Sequence, residues 1–175
     1  PMRLANLLSE QRIEHSSAPR SKMDVLSHLA GLLARNLPSP TESVIHEALS
    51  ERERLATTGV GSGVAIPHGR LAGLERSRMA VLVHPEGVPF DAVDGRPVRI
   101  FFALISPHQL AAEHLACLAK ISRLLREEEG RRRLRGTQNA AEVLSFVAGE
   151  EGRSTLLSPA SRVREGLSAL ECRAL

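Results

Sequence analysis

The stretch TTGVGSGVAIPHGR, Thr57 to Arg70, sets four glycines and a proline around a short apolar run and delivers one histidine near its end. Glycine-rich loops cradle anions because glycine accepts positive φ and lets backbone N–H groups come close. The common phosphate motifs do not fit, however. There is no G-x-x-x-x-G-K-[ST], and glycines at 59, 61 and 63 give G-x-G-x-G, not the dinucleotide pattern. HEALS at His46 lacks the second histidine of a zincin, and GSGVA is no nucleophile elbow. What remains is His68. Ile66, before proline, is held extended, and Pro67 lacks a backbone donor, so the ladder is expected to end there. His68 then emerges at a strand end, with Gly69 leaving its ring sterically open. An imidazole of ordinary pKa, near ~6.5, is unprotonated enough at neutral pH to attack phosphorus. A turn histidine that merely closes a strand accounts for the same residues more simply.

Two further side chains bear on the choice. His114 stands in an apolar helical stripe where leucine is the expected occupant, so its ring needs a polar partner whether it is a core residue or a functional one. Arg52, in SERERLATTG, ends a helix just before the glycine loop. A cation there suits the helix dipole, and a guanidinium also suits a phosphoryl oxygen. The residues alone leave both alternatives open for each.

These side chains need elements to hold them. SKMDVLSHLAGLLARNL predicts an amphipathic helix capped by Ser21, with Asp24 in the box position. SPTESVIHEALSERERLA predicts a second, with Ser39 as cap, Pro40 at the first helical position and Glu42 completing a capping box. GVAIP, MAVLVH and PVRIFFALI read as buried strands, and PEGVPFDAVDGRP between the last two as turn. A long helix is expected through Leu110, His114, Leu118, Ile121 and Leu125, ended by Gly130. NAAEVLSFVAG predicts another, from Asn139 with Glu142 in the box to Gly149. Helices around three or more strands make an α/β arrangement in layers.

Composition narrows the function. At 42% hydrophobic and 25% charged, with no apolar run of membrane-spanning length, the chain is expected to be soluble and globular, with no direct membrane insertion. The N-terminus lacks the features of a secretory signal, so a cytoplasmic location is expected. Pro1 ahead of Met2 reads as a residue left over from expression. Cys117 and Cys172 lie far apart without C-x-x-C spacing, which argues against a disulfide scaffold or a zinc site. The net charge of +3 has its arginines in REEEGRRRLRG beside acidic residues, and with no Trp or Tyr there is little for nucleic-acid bases to stack on. Nucleic acid is not an expected partner.

Three segments together, RERLATTGVGSGVAIPHGR, VPFDAVDGRPVRIFFALISP and EHLACLAKISRLL, resemble the enzyme IIA domain of the bacterial phosphotransferase system, fructose/mannitol type, and most closely its stand-alone nitrogen-regulatory branch. The resemblance covers residues 3–150 and leaves 151–175 as a tail of unknown role, either frayed or a docking helix through Val163, Leu167 and Leu170. It implies a mixed, mostly parallel sheet with helices packed on its faces. It implies that His68 accepts a phosphoryl group on a ring nitrogen from the phosphohistidine of a small carrier protein. His114 becomes the second site histidine, and Arg52 the phosphate-pairing arginine. No cofactor, ATP or metal is needed. Regulated targets such as transporters or sensor kinases are the implied partners; the alternatives are a sugar-uptake component passing phosphate to a separate IIB domain, or an interaction module with an inactive histidine. Arg52, Arg54 and Arg70 are expected to make the face around His68 basic. Cys117 is expected in the core, not as an acceptor.

Overall fold

The computed structural model describes residues 2–156. Two long strands form its centre: β5, Arg78–Val88, and β6, Val98–Pro107. Four shorter ones precede them, β1 (Ile13–His15), β2 (Gly59–Gly61), β3 (Val64–Ala65) and β4 (His68–Leu71). The sheet order is β1-β5-β6-β3-β2, and β4 also pairs with β6. The sheet is mixed, as expected. The β1–β5, β3–β6 and β4–β6 pairs are parallel, while β2–β3 and the longest ladder, β5–β6, are antiparallel.

Strand alternation divides the core in two. Ala80, Leu82, Phe101, Ala103 and Ile105 face one cluster with α1, Lys22–Ala34, and α2, Glu42–Leu55. Met79, Val81, Val83, Phe102 and Leu104 face the other, with α3, Ala111–Leu124, α4, Glu128–Arg135, and α5, Ala140–Leu156. Both faces of the central strands are covered, which is why their sequences read as continuous apolar runs. Cys117 lies in the second cluster, where burial pushes its thiol up to about 11.

Several boundaries differ from the sequence reading. α1 starts as expected, with Ser21 accepting from Asp24 N–H. α2 starts two residues later than the Ser39 cap predicts: Thr41 is the cap, its hydroxyl accepting from Val44 N–H, and Pro40 stands outside the helix. Threonine is also a preferred cap residue, and the preceding Ser-Pro misled. β5 runs past MAVLVH through Pro85 to Val88, its register against β6 shifting between Val83 and Val88. A proline is tolerated at such an irregularity.

The long helix expected to reach Gly130 breaks after Leu124 instead. Arg131 donates to the carbonyls of Leu125 and Arg126, capping the end of α3 from within α4. Gly130 sits inside α4, where a Cβ would lie 3.4 Å from the Phe146 ring. α5 begins as predicted, with Asn139 accepting from Glu142 N–H, but continues through Gly149. Its Glu151 carboxylate accepts from Leu4 and Ala5 N–H, which gives the extra turn an N-terminal partner. Residues 151–156 of the expected tail thus belong to α5, and the rest of it, 157–175 with Val163, Leu167 and Leu170, lies outside the described residues.

Candidate functional site

His68 is not where a strand ends but where one resumes. Pro67 interrupts the run between β3 and β4, and both pieces pair in parallel with β6. The break costs no bond on the β6 side, because Pro67 keeps its carbonyl and accepts from Leu104 N–H. His68 opens β4 opposite Leu104, half-buried. The glycines before it form the turn between β2 and β3: Gly61 and Gly63 have φ of 99° and 75°, with Ser62 at 57° between them. Only glycine takes such angles freely.

Gly69 has a different use from the open flank that the sequence suggests. It is buried, and a Cβ on it would stand 3.3 Å from the Ala48 carbonyl oxygen of α2. The missing side chain lets α2 lie close over β4. That closeness delivers Arg52, whose Nε–H donates to Nε2 of His68 at 3.1 Å. The same guanidinium donates through Nη1 to the Ala56 carbonyl at 2.9 Å, so Arg52 also closes the C-terminal end of α2.

The His68 tautomer follows from its other nitrogen. Nδ1 lies 2.7 Å from the Ile66 carbonyl oxygen, which can only accept. Nδ1 therefore carries the proton, and Nε2 presents a lone pair. Burial lowers the His68 pKa, and Arg52 adds to the effect; the Ile66 bond and the negative charge of Glu53 oppose it. The Ile66 peptide is itself tied down. Its N–H donates to Thr58 O, and Thr58 donates through backbone and hydroxyl to the buried Glu53 carboxylate, which pairs with Lys22 Nζ at 2.9 Å.

His114 reaches the same corner from the other face of the sheet. Its ring centre lies 5.5 Å from that of His68, tilted by 52°. It is buried, as its place in the apolar stripe requires, and Nδ1 is 2.8 Å from Ser106 Oγ. Burial, aided by the charges of His68 and Arg70, lowers its pKa to about 4. All three residues picked from the sequence thus converge: His68 with Arg52 by hydrogen bond, and His68 with His114 by ring proximity. Arg54 does not join them. Two residues beyond Arg52, it lies about half a turn around the helix, with Nη1 3.9 Å from Glu47. Arg70 is exposed at the near end of β4 and donates to the His108 carbonyl.

Sequence reasoning passed over Glu53, Ser77, Ser106 and Glu113. A serine closing the apolar run FFALIS was the available signal for Ser106, since a buried hydroxyl demands a partner. Among the described residues no group of three or more His, Cys, Asp or Glu is placed to hold a metal ion. No described helix is long and apolar enough to cross a membrane. A cleft of about 510 Å³ between α1 and β1, lined by Glu14, Asp24, His28, Arg35 and Glu42 among others, includes none of the site residues.

Residues 6–149 match the family described as phosphoenolpyruvate-dependent sugar phosphotransferase system, EIIA 2. Over 149 residues the chain is 38% identical to the nitrogen regulatory protein of Bradyrhizobium diazoefficiens, covering 84% of this chain and 95% of that one. Over 146 residues it is 39% identical to the nitrogen regulatory protein of Pseudomonas aeruginosa, covering 83% and 95%. The crystal structure of nitrogen regulatory protein IIA-Ntr from Neisseria meningitidis matches with a TM-score of 0.77 at 34% identity, over 82% of this chain and 97% of that one. The chain belongs to the EIIA 2 family of the phosphoenolpyruvate-dependent sugar phosphotransferase system.

Proposed function

We propose that this protein is a cytoplasmic phosphocarrier of the nitrogen-regulatory enzyme IIA type, accepting a phosphoryl group on Nε2 of His68 from the phosphohistidine of a small carrier protein. The observation that carries this reading is the bond from His68 Nδ1–H to the Ile66 carbonyl, which leaves Nε2 with its lone pair beside the Arg52 guanidinium. In the transfer, the Nε2 lone pair forms the new P–N bond as the carrier's P–N bond breaks, and its electrons return to the carrier's imidazole. His68 keeps its Nδ1 proton throughout. Such chemistry needs positioning and stabilisation of equatorial oxygens more than covalent assistance. Arg52 gives up its bond to Nε2 and turns its N–H groups to the incoming oxygens; His114 stands within reach of the same group.

The regulatory part of the reading rests on the similarity to nitrogen regulatory proteins. Phosphorylation adds about −1.5 to −2 charges beside Arg52 and Arg70. A target such as a transporter or sensor kinase that docks on the basic face then binds only the unmodified protein. The family's sugar phosphotransferase description supports a second reading, in which His68 passes the group to a separate IIB domain.

Incubation with enzyme I, the carrier and phosphoenolpyruvate is expected to give an acid-labile, base-stable adduct of a single phosphoryl group. An adduct that persists in His68→Ala overturns the assignment. A target that binds wild type and His68→Ala, but His68→Asp several-fold more weakly, supports the switch; efficient passage of label to a IIB cysteine with no charge-sensitive target supports the uptake reading instead.

A further inference from the structure

Three polar side chains that this transfer does not use meet at the Nδ1 edge of His114. Ser77 immediately precedes β5, Ser106 lies near the end of β6, and Glu113 is in the first turn of α3. Ser106 is 0% exposed, Ser77 4% and His114 6%, so their polar atoms depend on one another and not on solvent. Ser77 Oγ lies 2.9 Å from Ser106 Oγ and 3.2 Å from Glu113 Oε2, and Ser106 Oγ lies 2.8 Å from His114 Nδ1.

The direction of this chain is fixed from its far end. A carboxylate only accepts, and the Ser77 hydroxyl has one proton, so Ser77 donates to Glu113. Ser77 can then only accept from Ser106. With its own proton spent, Ser106 accepts from His114 Nδ1–H. The opposite direction points no proton at the carboxylate oxygen and places lone pairs face to face across 3.2 Å.

We propose that Ser77, Ser106 and Glu113 are positioning residues that hold the neutral His114 ring in its Nδ1–H tautomer and fix its orientation toward His68. The consequence for transfer rests on the phosphocarrier reading above. A neutral imidazole has one proton, and here it is committed to Ser106. Nε2 is then the only ring position at which His114 can take up a proton from solvent and donate to a phosphoryl oxygen on His68. The ionised carboxylate at the end of the chain favours the imidazolium so formed, as a carboxylate behind a histidine does at metal and catalytic sites.

The test is the ¹⁵N pattern of the His114 ring by NMR at neutral pH, in the full-length unphosphorylated protein. Wild type is expected to show the Nδ1–H form. In Glu113→Gln the terminal amide can donate as well as accept, so the chain can run in either direction and Nε2–H signal appears. Ser106→Ala removes the acceptor and releases the same preference; Glu113 is half-exposed on its helix, so its variant folds even if the buried serine's does not. Phosphorylation of Glu113→Gln is expected to slow by about three- to tenfold with unchanged melting temperature. A wild-type ring in the Nε2–H form, or an unchanged ring pattern in Glu113→Gln, overturns the proposal. Because the tautomer is read without phosphate, this outcome is separate from whether His68 of wild type accepts a phosphoryl group at all.

Discussion

His68 and His114 stand with ring centres 5.5 Å apart, and each uses Nδ1 for its fixing bond, yet the bonds come from different sources. His68 is held by the carbonyl of Ile66, two residues away in the chain. His114 is held by Ser106, backed by Ser77 and Glu113, from three separate elements. A backbone acceptor cannot be removed by substitution and can only be displaced by disturbing what holds its peptide. A side-chain acceptor can be deleted outright. In the transfer we propose, robust support suits the atom that would form the covalent bond, and adjustable support the group that would assist.

Displacing the Ile66 peptide is therefore expected to need the largest perturbation. Glu53 has a side chain 4% exposed and accepts from Thr58 twice and from Lys22. Glu53→Ala leaves the buried Thr58 donors without their acceptor and Lys22 with only the exposed Asp91 at 3.4 Å, at a cost of about 3 kcal/mol. Urea denaturation is expected to show that loss, and phosphorylation of the folded fraction to slow along with it. Undiminished stability means that the carboxylate is not what anchors the loop.

Acid stability separates the two rings next. Folded His114 stays neutral down to about pH 4, whereas in the unfolded chain it gains a proton near the ordinary imidazole value of 6.5. Between those values the unfolded state binds more protons, so stability is fully present above pH 6.5 and falls as the pH drops toward 4. The loss amounts to at most about 3 kcal/mol. His114→Gln is expected to remove that slope from denaturation midpoints measured from pH 7 to 4. His68→Gln flattens it less, because the Ile66 bond and Glu53 oppose the effect of burial there. Equal flattening by both variants erases the distinction.

A smaller effect is expected where α2 meets β4. Gly69→Ala places a Cβ 3.3 Å from the Ala48 carbonyl oxygen, tight enough to push the helix a few tenths of an ångström. Stability falls by about 1 kcal/mol, but the Arg52–His68 bond lengthens, and phosphorylation is expected to slow by more than that loss of stability accounts for. A variant that transfers at the wild-type rate means that Arg52 does not need its close approach.

The same contrast explains what the sequence could disclose. His68, its glycines and Pro67 are contiguous, and local backbone rules reach them; Arg52 is sixteen residues away, at the other end of the same loop. The layered arrangement was legible because both faces of β5 and β6 are buried, and the starts of α1 and α5 because their caps are local. Thr41 was missed because Ser39-Pro40 gives the same local cap signal two residues earlier, and the break after α3 because its cap, Arg131, comes from the next helix. The support of His114 was illegible for a related reason. Ser77 is 29 residues from Ser106 and 36 from Glu113, and only the folding of β5 against β6 and α3 brings them together.

The smallest expected effect is at Arg54, which tests whether the face around His68 reads individual cations or general basicity. Net charge alone makes Arg52, Arg54 and Arg70 equivalent. Geometry does not: Arg52 bonds Nε2 of His68, Arg70 is close enough to lower the His114 pKa, and Arg54 meets only the exposed Glu47 at 3.9 Å. An exposed pair at that distance contributes less than about 0.5 kcal/mol. Arg54→Ala is therefore expected to change neither the melting temperature nor the phosphorylation rate beyond about twofold, while Arg52→Ala slows transfer by about tenfold or more through lost stabilisation of the phosphoryl oxygens. Raising the salt concentration in the same assay supplies the control, since screening weakens exposed charges far more than a half-buried hydrogen bond. If Arg54→Ala slows transfer as much as Arg52→Ala, and salt abolishes both effects, the carrier responds to the charge of the whole helix end. The bond between Arg52 and His68 would then belong to the resting state alone.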